Sequence, residues 1–307
     1  MRVSLDARAS ADPRGIGRYV RCLLTALEET AGENEVVSSH RPRRTDVFHS
    51  PWIDGVRVRS PCPQVVTLHD LVPLKRRSEY LRTGVRFRLR YLAVQRAARI
   101  IVPTEAVALD AIEHLGLDRE KLVVIPEAPA TSMRPMEASI VAEVRARYAL
   151  PEDYLVWVGG LEHPDPRKRV AALVDTPREL PLVLVGQTRE WAHELPDVTL
   201  TGHVPDDDLA AIYTGARALV FPSDDEGFGL PTVEALACGT PVVACDVPAL
   251  REVLGERATF VASDDLVSLV AAGVRATRPA PKPPAWSWRD AAEATWRTYA
   301  AALTTAA

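Results

Sequence analysis

Residues 218–245 read ALVFPSDDEGFGLPTVEALACGTPVVAC. Ala218 to Phe221 is a short apolar run closed by Pro222, as expected of a strand buried in a parallel sheet. Gly227 and Gly229 let backbone N–H groups approach a ligand with no Cβ in the way. Pro231 suits the first turn of a helix, where its missing N–H costs nothing. Gly239 and Pro241 end that helix, and Val242 to Ala244 start the next strand. The order strand, glycine turn, helix, strand brings free N–H groups and the positive end of a helix to one spot, which suits a phosphate. Glu226 stands before the glycines and Glu234 lies in the helix, with seven residues between them. A carboxylate beside a phosphate is unfavourable unless it has hydroxyls to accept from. The pair therefore points to a ligand that is part phosphate and part sugar. An ordinary turn flanked by two surface acids is the alternative.

The stretch resembles the donor-binding signature of the family 4 glycosyltransferases (GT4, the group 1 and mannosyltransferase type): a Glu, seven residues and a second Glu, with Gly-Phe-Gly-Leu-Pro between and Gly-Thr-Pro-Val at the exit. The resemblance implies that Glu226 contacts the transferred sugar and Glu234 the ribose hydroxyls. It implies a donor site that also includes Gly227, Phe228, Gly229, Leu230 and Thr232. It further implies the GT-B fold: α/β, with two Rossmann-like doubly wound domains facing across a cleft.

At 307 residues, two domains are the natural expectation. The 47% apolar and 25% charged content is that of a globular chain. A net charge of −4 gives no reason to expect a nucleic acid partner. Cys22, Cys62, Cys238 and Cys245 show no paired spacing of the kind that marks a zinc site or disulfide framework. The start of the chain lacks a signal-peptide core and no apolar run reaches transmembrane length, so the expected location is the cytoplasm, with a peripheral position at the membrane as an option. Lysine is rare beside arginine here, which singles out Lys168.

The chain alternates strand and helix patterns throughout. A first strand at Arg2 to Leu5 leads into Asp12-Pro-Arg-Gly-Ile-Gly-Arg-Tyr and an amphipathic helix from about residue 19 to 29. Gly15 and Gly17 fit either a tight connection or a phosphate-facing loop. The resemblance extends to Gly-Ile-Gly-Arg-Tyr and favours the second. Residues 30–46 leave room for one brief strand near Glu35 to Ser38, so the first domain reads as trimmed relative to the family. His49 and His69 each end an apolar run, the carboxyl end of a strand where ligands gather in α/β sheets. Each is either a sugar-contacting side chain or a structural one; Thr-Leu-His-Asp around His69 resembles the family's active-site motif. Residues 75–99 carry eight arginines with apolar residues interleaved, which fits a solvated helix face or a weak contact with an anionic membrane.

Tyr154 to Leu161 is a strand entering a Gly-Gly turn, and Asp165-Pro-Arg-Lys-Arg leads into a helix. Arg167 and Lys168 there can reach the same phosphates as the 227–232 loop. Pro-Arg-Lys resembles the family's diphosphate clamp, although Leu161 stands where many relatives place a polar residue. Gly202 to Val204 resembles the turn lining the nucleobase pocket. The run Asp206-Asp207-Asp208 is read as acids at a helix N-terminus, not as a metal site. The expected domains are 1–135 on the acceptor side, completed by a returning helix over 288–307, and 136–285 on the donor side.

The expectation is retaining transfer of a hexose from a nucleoside-diphosphate sugar to an acceptor hydroxyl, with no metal or other cofactor. His69, Arg167, Lys168 and Glu226 are the expected catalytic residues. The acceptor stays open between a lipid carrier, a glycan and a small molecule. Two other readings are a different GT-B enzyme, such as a phosphorylase or sugar-nucleotide epimerase, and a non-catalytic sugar-nucleotide-binding subunit.

Overall fold

The computed structural model describes residues 1–42, 44–76 and 85–305. The chain forms two compact units: residues 1–128 with 286–307, and residues 129–285. The first boundary lies before the proline-rich segment 129–135, not after it. Met133 in that segment is buried, and the Met136 N–H donates to Thr214 Oγ1 at 3.2 Å, so the segment packs with the second unit.

The first unit holds a six-stranded parallel sheet built from β1 (Arg2–Leu5), β2 (Glu35–Ser38), β3 (Val47–Ser50), β4 (Gln64–Thr67), β5 (Arg99–Val102) and β6 (Leu122–Val124), in the order β2-β1-β3-β4-β5-β6. This is the flavodoxin-type order with one strand added, and it reverses between β1 and β3. β3 and β4 are buried along their whole length, which accounts for their unbroken apolar reading. The helix Gly15–Glu29 buries Tyr19, Val20, Leu23, Ala26 and Leu27, the one-face spacing of an amphipathic helix. The last helix, Trp288–Thr305, lies against that helix and against β3 to β5. Its Trp296 Nε1 donates to Thr30 Oγ1 at 3.2 Å, and Tyr299 and Ala302 are fully buried.

The second unit holds β7 (Leu155–Val158), β8 (Leu182–Val185), β9 (Val198–Gly202), β10 (Ala218–Phe221), β11 (Val242–Cys245) and β12 (Thr259–Val261), again all parallel, in the order β12-β11-β10-β7-β8-β9. Counted from its own first strand this is the Rossmann order, and it reverses between β7 and β10. The core joins Leu155, Trp157, Leu184 and Val220 of the sheet to Leu173 and Leu269 of the covering helices. Leu161 belongs to this core. It is fully buried and forms a parallel bridge to Thr188, which explains why the position takes an apolar residue. Cys238 and Cys245 are buried thiols, with burial pushing them up to about 12 and about 11, so they are inert packing residues.

Candidate active site

In an open α/β sheet the crevice for a ligand opens beyond the carboxyl ends of the two strands where the order reverses. In the second unit those strands are β7 and β10. The segment after β7 carries Arg167 and Lys168, and the segment after β10 carries Glu226 to Gly229. The topology therefore delivers residues some sixty positions apart to one end of the sheet.

The turn Pro166–Lys168 is started by Asp165, whose carboxylate accepts from the Arg167 N–H at 3.2 Å. The Arg167 carbonyl in turn accepts from the Asp224 N–H at 3.0 Å, which ties this turn to the glycine loop. The Arg167 guanidinium lies between two carboxylates, with Nε 3.3 Å from Asp165 Oδ2 and Nη1 3.6 Å from Glu226 Oε2. All three side chains are largely withdrawn from solvent, so these charges are screened less than surface pairs. Lys168 Nζ stands over the Trp157 ring, 6.0 Å from its centroid, within cation–π range. Arg169 adopts a left-handed backbone (φ 52°) between the turn and the helix Val170–Asp175, and its guanidinium is held by the Ser263 carbonyl. This conformation is uncommon outside glycine, and here the Ser263 contact supports it.

The helix Leu230–Ala237 starts at Gly229, whose backbone is left-handed (φ 83°) and lacks a side-chain cap. The left-handed backbone favours glycine, and a Cβ there would in addition lie 2.6 Å from Leu250 Cδ2, which would have to shift. Thr232 is fully buried, and its N–H and hydroxyl both return to the Gly229 carbonyl, at 2.8 and 2.7 Å. Thr232 thus shapes the loop. Phe228 and Leu230 are buried beneath it. Glu234 is 2% exposed and accepts from Tyr213 Oη at 3.4 Å. Val204 turns its side chain into the interior after Gly202, which is left-handed, so of this turn Val204 can offer a ligand only its backbone, while His203 is exposed.

The first unit places its histidines differently. His49 is wholly buried, with Nδ1 2.7 Å from Tyr299 Oη and Nε2 2.9 Å from Thr67 Oγ1. Thr67 Oγ1 also lies 3.1 Å from Tyr19 Oη. A neutral imidazole, with one donor and one acceptor, satisfies both contacts. Burial, reinforced by the nearby His69, pushes His49 down to about 3. His49 is therefore structural, pinning the last helix to β3 and β4.

His69 faces two acceptors. Its Nδ1 lies 3.1 Å from Glu127 Oε1 and its Nε2 2.9 Å from the Pro51 carbonyl oxygen. Only the protonated ring donates to both. Burial lowers its pKa, but the Glu127 hydrogen bond and charge, with the Pro51 carbonyl, outweigh that and raise it. Both nitrogens are engaged within the unit, so the hydrogen bond to a sugar hydroxyl expected from sequence has no ring nitrogen left to make it in this arrangement. Tyr19 packs its ring edge-on to His69 at 4.5 Å and to Trp288 at 5.6 Å.

These two residues set a pH dependence with a definite sign. His49 has a folded pKa below its unfolded value, so its neutral burial contributes stability above about pH 6.5 that is lost progressively as pH falls toward 3. His69 has a raised folded pKa, so its contribution is full below about pH 6.5 and lost as pH rises through the folded value. Between about pH 6 and 5, where carboxylates are mostly silent, the His49 slope dominates. Thermal denaturation is expected to show stability falling by up to about 1.4 kcal/mol per pH unit there. The His49→Asn variant, which cannot titrate, is expected to lose that slope.

Gly15 and Gly17 follow β1 at the first unit's reversal point, but they differ. A Cβ on Gly15 would meet nothing within 4 Å, whereas one on Gly17 would lie 1.8 Å from the Asp12 carbonyl oxygen and 2.8 Å from that of Ala9. Gly17 is there because the helix start packs on the preceding turn, a reason that phosphate approach does not supply. Asp208, from the acidic run, accepts from Arg147 at 2.8 Å and from Tyr148 at 2.7 Å, which ties two helices together. Among the described residues no group of three or more His, Cys, Asp or Glu side chains is placed to hold a metal ion.

Of the 75–99 stretch, Arg77 and Arg82 lie outside the described residues, as do the side chains of Arg86 and Arg88. Arg90 pairs with Asp54, Tyr91 and Val94 are buried, and Leu89 and Leu92 are exposed. No helix among the described residues is long and apolar enough to cross a membrane.

Four partners went unrecognised in the sequence. Asp165 and Glu127 leave a trace there: an Asp before Pro at a helix start, and an acid between two prolines after a strand. Tyr213 and Tyr299 leave none, because each sits in the apolar stripe of an ordinary helix.

Comparison with known proteins agrees with this geometry. Residues 152–277 match the family described as glycosyl transferases group 1, and residues 41–128 match glycosyltransferase family 4. The chain belongs to the group 1, family 4 glycosyltransferases and has the GT-B fold. The serotype-specific mannosyltransferase WbdA of Escherichia coli is 29% identical over 221 residues, 64% of this chain and 27% of WbdA. The D-inositol 3-phosphate glycosyltransferase of Streptomyces bingchenggensis is 30% identical over 248 residues, 69% of this chain and 54% of the relative. The chain thus spans about a quarter to about half of the length of these relatives. Among solved structures, the sucrose-phosphate synthase of Thermosynechococcus elongatus superposes with a TM-score of 0.70 at 21% identity, covering 100% of this chain and 97% of that one.

Proposed function

We propose that the protein transfers a hexose from a nucleoside-diphosphate sugar to an acceptor hydroxyl, with retention of anomeric configuration and without a metal ion. The observation that carries this reading is the Arg167 bridge at the sheet reversal, with its carbonyl fixed to Asp224 and its guanidinium beside Glu226. In the reaction the bond from the anomeric carbon to the donor phosphate oxygen breaks. The acceptor oxygen bonds to the same face of that carbon, and its proton passes to the departing phosphate oxygen. The diphosphate gains negative charge as it leaves. Arg167, Lys168 and the amides at the start of the helix Leu230–Ala237 meet that charge. Glu226 orients the sugar and Glu234 the ribose hydroxyls, which holds the reacting carbon in line. His69 acts as a positioning residue through Glu127. The mannosyltransferase and inositol phosphate relatives support a polyhydroxylated or glycan acceptor. A cytoplasmic location, peripheral at the membrane where the acceptor is lipid-linked, completes the reading.

The test is incubation with uridine- and guanosine-diphosphate hexoses and an acceptor panel, followed by NMR assignment of the product anomer. A nucleoside diphosphate released together with a glycoside of the donor's own configuration is expected. An inverted product overturns retention. Epimerised nucleotide sugar formed without acceptor would assign the chain to a different reaction. A chelator is expected to leave turnover intact.

A further inference from the structure

At the amino ends of β4, β5 and β6, the end of the first unit's sheet opposite the carboxyl ends of its strands, lies a cavity of about 600 Å³. That is within the usual size of small-ligand sites. Its wall carries Arg57, Arg59, Arg96 and Lys121 with no Asp or Glu among the lining residues. In a chain of net charge −4, four cations around one hollow with no carboxylate in its described lining is an arrangement with a repulsive cost. Lys121 is one of only four lysines in the sequence.

The hollow is built, not incidental. Gln64, 5% exposed at the start of β4, clamps the backbone of Arg57 twice: its Oε1 accepts from the Arg57 N–H at 2.9 Å and its Nε2 donates to the Arg57 carbonyl at 3.3 Å. The Arg57 guanidinium is further held by the His40 carbonyl at 3.3 Å and by the Phe48 ring, 5.9 Å to the centroid. Its Nε is buried and has no acceptor among the described residues. An orphaned buried donor on a charged group is costly, and an acceptor of negative charge is what it lacks. Among the described residues Arg96 and Lys121 donate to the main-chain carbonyls of Val58 and Gln95, at 3.5 and 3.0 Å, and to no carboxylate, so their charge is available to a ligand.

We propose that this pocket binds a phosphate or pyrophosphate group, carried either by a free metabolite or by a lipid head group, at a site separate from the donor site of the second unit. An arginine fork and a lysine are the donors that recognise phosphate oxygens. The experiment uses the full chain with Arg167→Ala and Lys168→Ala, so that the donor site does not compete. Inorganic pyrophosphate is titrated by calorimetry, and phosphatidate vesicles are tested by co-sedimentation against phosphatidylcholine vesicles. Each measurement is repeated after adding Arg96→Ala and Lys121→Ala, with circular dichroism confirming the fold. Binding that weakens with salt and falls about tenfold or more with the second pair is expected. Loss confined to pyrophosphate assigns a soluble ligand, and loss confined to the vesicles assigns a lipid. Binding of neither probe, or binding unmoved by the second pair, overturns the proposal whatever the outcome for sugar transfer.

Discussion

Replacing Arg167 and Lys168 together by alanine is expected to lower turnover by roughly a hundredfold to a thousandfold, the range for removal of a preorganised donor facing developing charge. Arg167 is pinned through its main chain to Asp224 and through its side chain to Asp165 and Glu226, so it needs no rearrangement to meet a departing diphosphate. Its loss also leaves two carboxylates close together without their shared cation. The effect falls mainly on kcat, because the phosphate charge rises as the bond breaks. The two single variants are not expected to sum to the double one. Arg167→Lys keeps the charge but loses the fork, and is expected to fall between wild type and alanine. Unaltered steady-state kinetics in the double variant would remove the clamp from the mechanism.

The second large effect concerns folding. Gly17→Ala places a methyl group on top of the Asp12 carbonyl oxygen and close to that of Ala9. Both are backbone atoms, so the helix start must shift. The expected cost is roughly 3 kcal/mol or more, at or beyond the usual range for overpacking. For a unit of this size the midpoint falls by about 10 °C. Gly15→Ala, two residues away and with open space around it, is expected to be neutral or slightly stabilising. Differential scanning calorimetry of the pair decides the matter. Equal, small shifts would mean that the helix start yields easily and that Gly17 answers to a ligand instead.

The contrast between these two glycines shows what could be read in advance. Alternating apolar runs and glycine turns were enough to locate both sheets, because the central strands of a parallel sheet are covered on both faces and read as apolar runs, while the edge strands β2 and β9 carry polar residues as well. The brevity of the 30–46 stretch was legible as well: it holds only β2, and the sheet order begins there. Arg167 and Glu226 stood out as charges at loop positions with no core to serve, and the structure brings them within 3.6 Å of each other, whereas Glu234, buried in a helix, stood out only through its spacing from Glu226. Hydrogen-bond partners were not. Nothing in the local sequence says that Tyr299 would reach His49, 250 positions earlier, or that Pro51 would take the second nitrogen of His69. Such contacts depend on the three-dimensional path of the chain, and residue type alone leaves them open.

The helix Trp288–Thr305 belongs to the unit that begins the chain, so everything from 129 to 285 is an excursion from it. Joining the two parts of the first unit across an unfolded excursion of that length carries a loop-closure cost that grows with the logarithm of the span. Once the intervening unit is folded, the span is no longer a flexible chain, and its two ends are fixed by that unit's own fold. The expected consequence for the order of assembly is that a folded interior segment lowers the cost of bringing the last helix back to the early strands.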